Sequence, residues 1–389
     1  MFSARLPPTL TANALARAVA GRRSAGRRIL DLTETNPTAV GLPYPPDLLQ
    51  VLGDPAGIRY RPDPRGLADA RGAVADSYGP DAAIDPDAVV LTASTSEAYA
   101  SLFKLLCDPG DEILVPRPSY PLFDLLSRLD AVAARPYDLD PHAGWAIDRA
   151  SVERASGGRA RALLVVSPNN PTGSWLRRGD RDWLVAHCRS EGMALISDEV
   201  FADYPLSPRH DACSLAGDAG VLTFTLGGLS KSAGLPQVKL GWVVTGGPAG
   251  EVAEAIARLE LIADTYLSVS TPVQLAARQL MAAGAAIRRA ISDRIRGNLD
   301  MLRAAAGRHP AVTLTEPEGG WSAVLRVPST ASEEALVLRA LEDADVLVHP
   351  GYFFDFPGEA YLVLSLLPEP SVFADAVGRL LPLAAGATS

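Results

Sequence analysis

Three stretches decide the fold: RALLVVSPNNPTG (161–173), MALISDEV (193–200) and VLTFTLGGLSKSAGLPQVKLGWVVTG (221–246). Each holds a short, nearly unbroken apolar run that gives way to polar residues. Runs of that length and purity read as strands covered on both faces. AVVLTAS (88–94) and EILVP (112–116) repeat the pattern, and LGWVVTG (240–246) closes the third stretch as a strand of its own. Between them, SEAYASLFKLLC (96–107) and RDWLVAHCRSEG (181–192) carry apolar residues at helical spacing. The alternation predicts an α/β fold whose mostly parallel sheet is flanked by helices. Ligands of such sheets sit outside the carboxyl ends of the strands. The polar clusters fall there: Ser94-Thr95-Ser96, the SPNNPTG run, Asp198-Glu199 and Ser230-Lys231. Four clusters from distant parts of the chain would meet at one edge, which makes that edge the candidate site.

Outward from this core, residues 271–306 are rich in Ala and Arg and read as a pair of long helices. AVTLTEP (311–317), WSAVLRVP (321–328) and AYLVLSLL (360–367) read as strands, with ASEEALVLRALEDA (331–344) as a helix. That is an α+β pattern suited to a smaller domain. Residues 1–45 read as an arm with a short helix at 11–23. The expected division is a large domain over 46–285 and a small domain built from 1–45 and 286–389.

Composition narrows the function. A chain of 389 residues, 48% hydrophobic, has enough apolar matter for a large core. A net charge of −9 argues against a nucleic-acid binder. No apolar run reaches the roughly 18 residues of a membrane span. The arginine pairs at 22–23 and 27–28 are followed by DLTETNPT (31–38), which is polar, so no export signal is expected and a cytoplasmic location is. Cys107, Cys188 and Cys213 are too few and too scattered for a disulfide framework or a metal cluster. Of 36 Lys and Arg residues only Lys104, Lys231 and Lys239 are lysine. A chain that otherwise chooses arginine keeps a lysine for what arginine does not do, which is to lose its proton and attack a carbonyl.

The residues at the strand ends suit one kind of chemistry. A lysine in apolar surroundings has its pKa lowered and becomes a Schiff-base nucleophile. Pyridoxal phosphate (PLP) would further need an acid at its ring nitrogen, and Asp198 is such a carboxylate. Its phosphate would need N–H groups at a helix start, which Ser94, Thr95 and Ser96 supply. Tyr120 offers an aromatic face and Asn170 an amide donor for the ring hydroxyl. Taken singly, each is an ordinary turn, cap or packed residue.

Order and spacing make the combination specific. SPNNPTG (167–173), ISDEV (196–200) and LSKSAGLPQVKLGW (229–242) together resemble the class I/II aminotransferases of the aspartate-aminotransferase fold. The likeness extends to RYRPDPRGLADAR (59–71), VPRPSYPLF (115–123) and VHPGYFFDF (348–356). It implies a PLP enzyme that moves an amino group between an amino acid and a 2-oxo acid, with Lys231 holding the cofactor and carrying the proton. It also implies Asp198 on the pyridine nitrogen, Asn170 on the ring oxygen and Tyr120 on the ring. Ser94, Thr95, Ser96, Ser230 and Lys239 would hold the phosphate, joined by Tyr60 from the partner subunit of a homodimer.

The sequence departs from that pattern at four positions. Lys239 stands where the family usually has an arginine on the phosphate. Phe201 replaces a tyrosine that donates to the ring oxygen; Tyr204 is the nearest substitute. Gly228 replaces a frequent serine ligand of the phosphate. Val363 stands where the family's α-carboxylate arginine belongs, and no arginine occurs from 340 to 378. Arg326, Arg117 and Arg61 are the candidate replacements, with Asn36 as a hydrogen-bonding partner. The missing arginine leaves open another PLP reaction on the same scaffold: elimination, decarboxylation or oxidation. A PLP-binding regulator would need a DNA-binding module, for which the first 45 residues leave no room.

Overall fold

The computed structural model describes residues 2–7, 9–208, 211–218, 220–358 and 360–386. Its centre is an eight-stranded sheet of β1 (Val89–Thr92), β2 (Glu112–Arg117), β3 (Ala133–Asp140), β4 (Ala146–Ile147), β5 (Ala160–Val166), β6 (Ala194–Asp198), β7 (Thr223–Gly228) and β8 (Gly241–Gly246). They lie in the order β1-β8-β7-β6-β5-β2-β3-β4. The run from β7 through β6, β5 and β2 to β3 is parallel, while β8 opposes both its neighbours and β4 opposes β3. The α/β architecture expected from the apolar runs is what the chain adopts.

Alternation along the strands explains why two helical layers cover it. Leu163 and Val165 of β5 face a cluster with Leu184 and Cys188 of the helix Arg178–Glu191. Ala162, Leu164 and Val166 face the opposite cluster, with Leu102 and Phe103 of the helix Thr95–Leu106 and Leu259 of the helix Ala249–Asp264. Fully burying one such leucine contributes about 1.5–3 kcal/mol, which favours a sheet with no wet face.

A second, four-stranded sheet holds β9 (Thr313–Thr315), β10 (Ser322–Arg326), β11 (His349–Pro350) and β12 (Tyr361–Ser365) in the order β9-β10-β12-β11. It is antiparallel throughout. Helices Glu333–Ala344 and Pro370–Ala384 join its core, and Leu30–Asp31 of the N-terminal arm pairs with Val346–Leu347. The short helix of that arm is Ala14–Ser24, capped by Asn13.

Two features depart from the sequence reading. The pair of helices expected over 271–306 is one helix of 36 residues, Thr271–Ala306. Its only proline lies in the first turn, where it breaks nothing. Ile287 to Leu302 continue one apolar stripe, so nothing in the sequence ends the helix midway. Gly284 is required where it is: a Cβ there would lie 2.4 Å from the Cβ of Ala233. The expected boundary at 285/286 falls inside this helix. The second departure is an addition, since β3 and β4 extend the sheet through a stretch interrupted by Pro136 and acidic residues.

Candidate active site

The register of the large sheet assembles the site. Asp198 ends β6 opposite Val166 on β5 and Leu226 on β7, and its carbonyl accepts from the Ser167 amide at 2.9 Å. The SPNN turn, the acid and the turn to Lys231 therefore leave the sheet side by side. A cavity of about 640 Å³ opens above them, between this edge and the small sheet. Thr95, Ser96, Tyr120, Asn170, Asp198 and Lys231 all line it.

Lys231 sits in the one-turn helix Leu229–Ser232 just beyond β7. Its Nζ stands 4.8 Å from the ring centroid of Trp321 and 5.5 Å from that of Phe201. Burial among these rings lowers the amine's pKa from 10.5 to about 8, against the opposing pull of Asp198. At neutral pH such an amine is unprotonated far more often than an ordinary lysine and is correspondingly better placed to act as a nucleophile.

Asp198 is buried, and burial raises its pKa. One carboxylate oxygen accepts from the Tyr99 hydroxyl at 2.7 Å, the other from the Val200 amide at 3.2 Å. Tyr99 was absent from the sequence reading. Its position in the helix Thr95–Leu106, one turn after Ser96, was the available signal: a polar tip on an otherwise core-facing stripe. Trp321 and His349 were missed too, because both come from small-sheet segments far away in sequence.

The helix Thr95–Leu106 starts at the cavity wall. Ser94 caps it, its Oγ accepting from the Glu97 amide at 3.2 Å. The Thr95 and Ser96 amides have no internal acceptor among the described residues, which leaves the positive end of the helix available to an anion. Gly241 of β8 permits the close approach, since a Cβ there would lie 3.0 Å from the Ser94 carbonyl carbon and 3.2 Å from the Thr95 nitrogen. At Gly228, a Cβ would press on the Leu240 carbonyl oxygen at 3.2 Å.

Other expected residues lie elsewhere. Ser230 and Lys239 are outside the lining, although the Leu229 amide donating to the Leu240 carbonyl at 2.9 Å brings their two segments together. Lys239 is exposed, in a left-handed conformation with φ 59°. Tyr60 is 72% exposed and borders a separate cavity of about 290 Å³ along with Arg61. Tyr204 is buried, and its hydroxyl donates to the Lys231 backbone carbonyl, so it does not substitute for the tyrosine that Phe201 lacks.

At the substrate end, Val363 lines the cavity as expected of its position. None of the proposed replacements is with it. Arg326 is exposed at the end of β10, Arg117 donates to Asp138 at 2.6 and 2.8 Å, and Asn36 caps a short turn by accepting from Thr38. No arginine occurs among the described lining residues. The Ser322 hydroxyl donates to the Asn170 side-chain oxygen at 3.3 Å, which leaves the Asn170 amide nitrogen free to donate into the cavity.

Residues 45–367 match the family described as aminotransferase class I and II. The chain belongs to that family. An alanine aminotransferase of Mycobacterium tuberculosis is 29% identical over 370 residues, covering 91% of this chain and 85% of its own. A glutamate-pyruvate aminotransferase of Haemophilus influenzae is 25% identical over 366 residues, covering 91% and 90%. Among solved structures, an Escherichia coli aminotransferase shares the fold with a TM-score of 0.88 at 23% identity, covering 99% of this chain and 98% of that one. This aminotransferase is therefore a PLP-dependent enzyme that moves amino groups between an amino acid and a 2-oxo acid. The cavity suits PLP: a reactive amine, a buried acid and a helix start with free amides share one wall. No helix among the described residues is long and apolar enough to cross a membrane.

Proposed function

We propose that Lys231 is the residue that holds the cofactor and moves the proton during amino transfer. One observation carries this reading: the Lys231 amine is buried in the cavity wall with its pKa lowered to about 8. When bound, PLP supplies an electron sink for the pair released at the substrate carbon. Lys231 would hold the cofactor and would serve as the base for the proton at that carbon. Asp198 would keep the ring nitrogen protonated, and its bond from Tyr99 holds the carboxylate in one orientation. Asn170 would donate to the ring oxygen, and Tyr120 would cover the ring. The Thr95 and Ser96 amides would receive the phosphate, with the Ser94 side chain beside them and Ser230 and Lys239 reaching it from the neighbouring segment outside the lining.

The finer substrate preference follows from the wall. Leu122, Leu125, Leu126 and Phe353 line it with no described arginine, which supports apolar donors over donors with a second carboxylate. The exposed Tyr60 supports a homodimer in which it reaches the partner's phosphate. Three free cysteines support a reducing, cytoplasmic setting. The division into 46–285 and 1–45 with 286–389 stands as part of the proposal, the two units sharing the long helix.

Borohydride reduction of the holoenzyme followed by peptide mapping tests the assignment. The pyridoxyl label is expected on Lys231; a label on Lys104 or Lys239 instead would refute it. Adding amino acid without an oxo-acid acceptor is expected to stop the enzyme after one half-reaction, whereas continued release of ammonia or carbon dioxide would favour elimination or decarboxylation.

A further inference from the structure

The cavity has an acidic wall and a neutral one. Asp198 occupies the wall on the large sheet, and His349 lies on β11 of the small sheet. Among the described lining residues, only Lys231 and His349 carry nitrogens that accept a positive charge. Lys231 is committed to the cofactor on the reading above, on which this inference rests. An amino acid that enters still brings a carboxylate, and a buried carboxylate without a positive partner is disfavoured. The wall bearing Asp198 offers it no free positive charge. The opposite wall is where it goes.

His349 is built to meet it. Its ring is stacked on Phe353, centroids 5.0 Å apart at 5°, and meets Phe354 edge-on at 5.6 Å and 78°. Two aromatic contacts fix the imidazole, yet no described residue hydrogen-bonds its ring nitrogens. Its cross-strand partner on β12 is Val363, which offers no donor. Burial lowers its pKa and Asp31 pulls the other way. Lys231 and Asp198 line the same cavity, and Glu333, on the helix packed behind, accepts from the Tyr352 and Tyr361 amides. An imidazole held neutral in this way takes up a proton when a carboxylate arrives beside it, because the opposite charge favours the charged form.

We infer that His349 receives the substrate carboxylate, with the role that position 363 does not fill in this chain. It is a specificity-determining residue: it discriminates amino acids and oxo acids from amines that lack the acid group.

Holoenzyme carrying His349→Phe or His349→Asn tests this, with 3-phenylpropionate as an unreactive acid and 2-phenylethylamine as the matched amine. Calorimetry should show the acid binding about tenfold more weakly, or worse, in both variants, with amine binding unchanged. In steady state, KM for an apolar amino acid should rise by a similar factor while kcat changes little. Adding Val363→Arg to His349→Phe should restore acid binding, since a guanidinium then stands on the neighbouring strand. Unchanged acid binding in His349→Phe would overturn the inference, as would an equal loss for acid and amine. Full acid affinity in His349→Asn would overturn the charged pairing. The absorbance of the bound cofactor and its borohydride label on Lys231 report separately on the reading beneath it, so the two can fail independently.

Discussion

The two ends of the cavity are built differently. At the proposed cofactor end, Asp198 and Lys231 leave the adjacent strands β6 and β7, the helix Thr95–Leu106 starts after β1 on the far side of β8, and the register of one sheet sets their spacing. At the proposed substrate end, His349, Val363 and Ser322 come from a second sheet, with Trp321 just before β10 and apolar lining from Leu122, Phe123, Leu125 and Leu126. Register-bound residues move together or not at all. Wall residues are replaceable one at a time. The cofactor end should therefore punish substitution and the substrate end should redirect it.

The harshest test is Lys231→Ala. Removing both anchor and base should lower kcat by about 10³-fold or more, with loss of the cofactor's lysine-bound absorbance. Activity within tenfold of the parent would break the comparison at its strongest point. Next comes Tyr99→Phe, which takes the hydroxyl from a buried carboxylate oxygen. Stranding that acceptor should lower kcat/KM roughly tenfold, and cofactor dissociation followed by absorbance should be faster. An unaltered enzyme would mean that Asp198 does not depend on its partner.

The pH response is a finer probe. In the cofactor-free chain Lys231 has a pKa of about 8 against 10.5 for an ordinary lysine. Below that window the amine is charged in folded and unfolded chains alike, and its burial is a penalty. Between about 8 and 10.5 the folded chain releases its proton first, so the folded state is favoured increasingly as pH rises through the window. Stopped-flow uptake of PLP should quicken with pH and level off above about 8. A rate still climbing at pH 10 would contradict a lowered pKa. The mildest change is Val363→Ala, which should leave PLP affinity unaltered and shift the ratio of kcat/KM between large and small apolar donors by less than about tenfold.

The same contrast accounts for what the sequence made legible. Apolar runs ending in polar clusters located the large-sheet strands that end at the cavity, and with them the lining residues Asp198, Asn170, Tyr120, Thr95 and Ser96. β3 escaped because Pro136 and its acidic residues hide the period of a strand near the sheet edge. Tyr99 escaped because it sits in a core-facing stripe, where a tyrosine reads as packing. His349 and Trp321 join the site only through the tertiary placement of the small sheet, and no local pattern encodes that. The absence of an arginine at 363 could be read directly, but its replacement could not, since Arg326, Arg117, Arg61 and Asn36 are equally available in one dimension.

The long helix adds a mechanical consequence. At 1.5 Å per residue its 36 residues make a beam about 54 Å long. It passes Ala233, two residues beyond Lys231, at Gly284, and one end of its span is tied behind the small sheet, where Asn298 donates to the Leu366 and Pro368 carbonyls at 2.8 Å. A single length of helix therefore sets the distance between the turn that carries the amine and the end of β12, and the two halves of the cavity share one ruler.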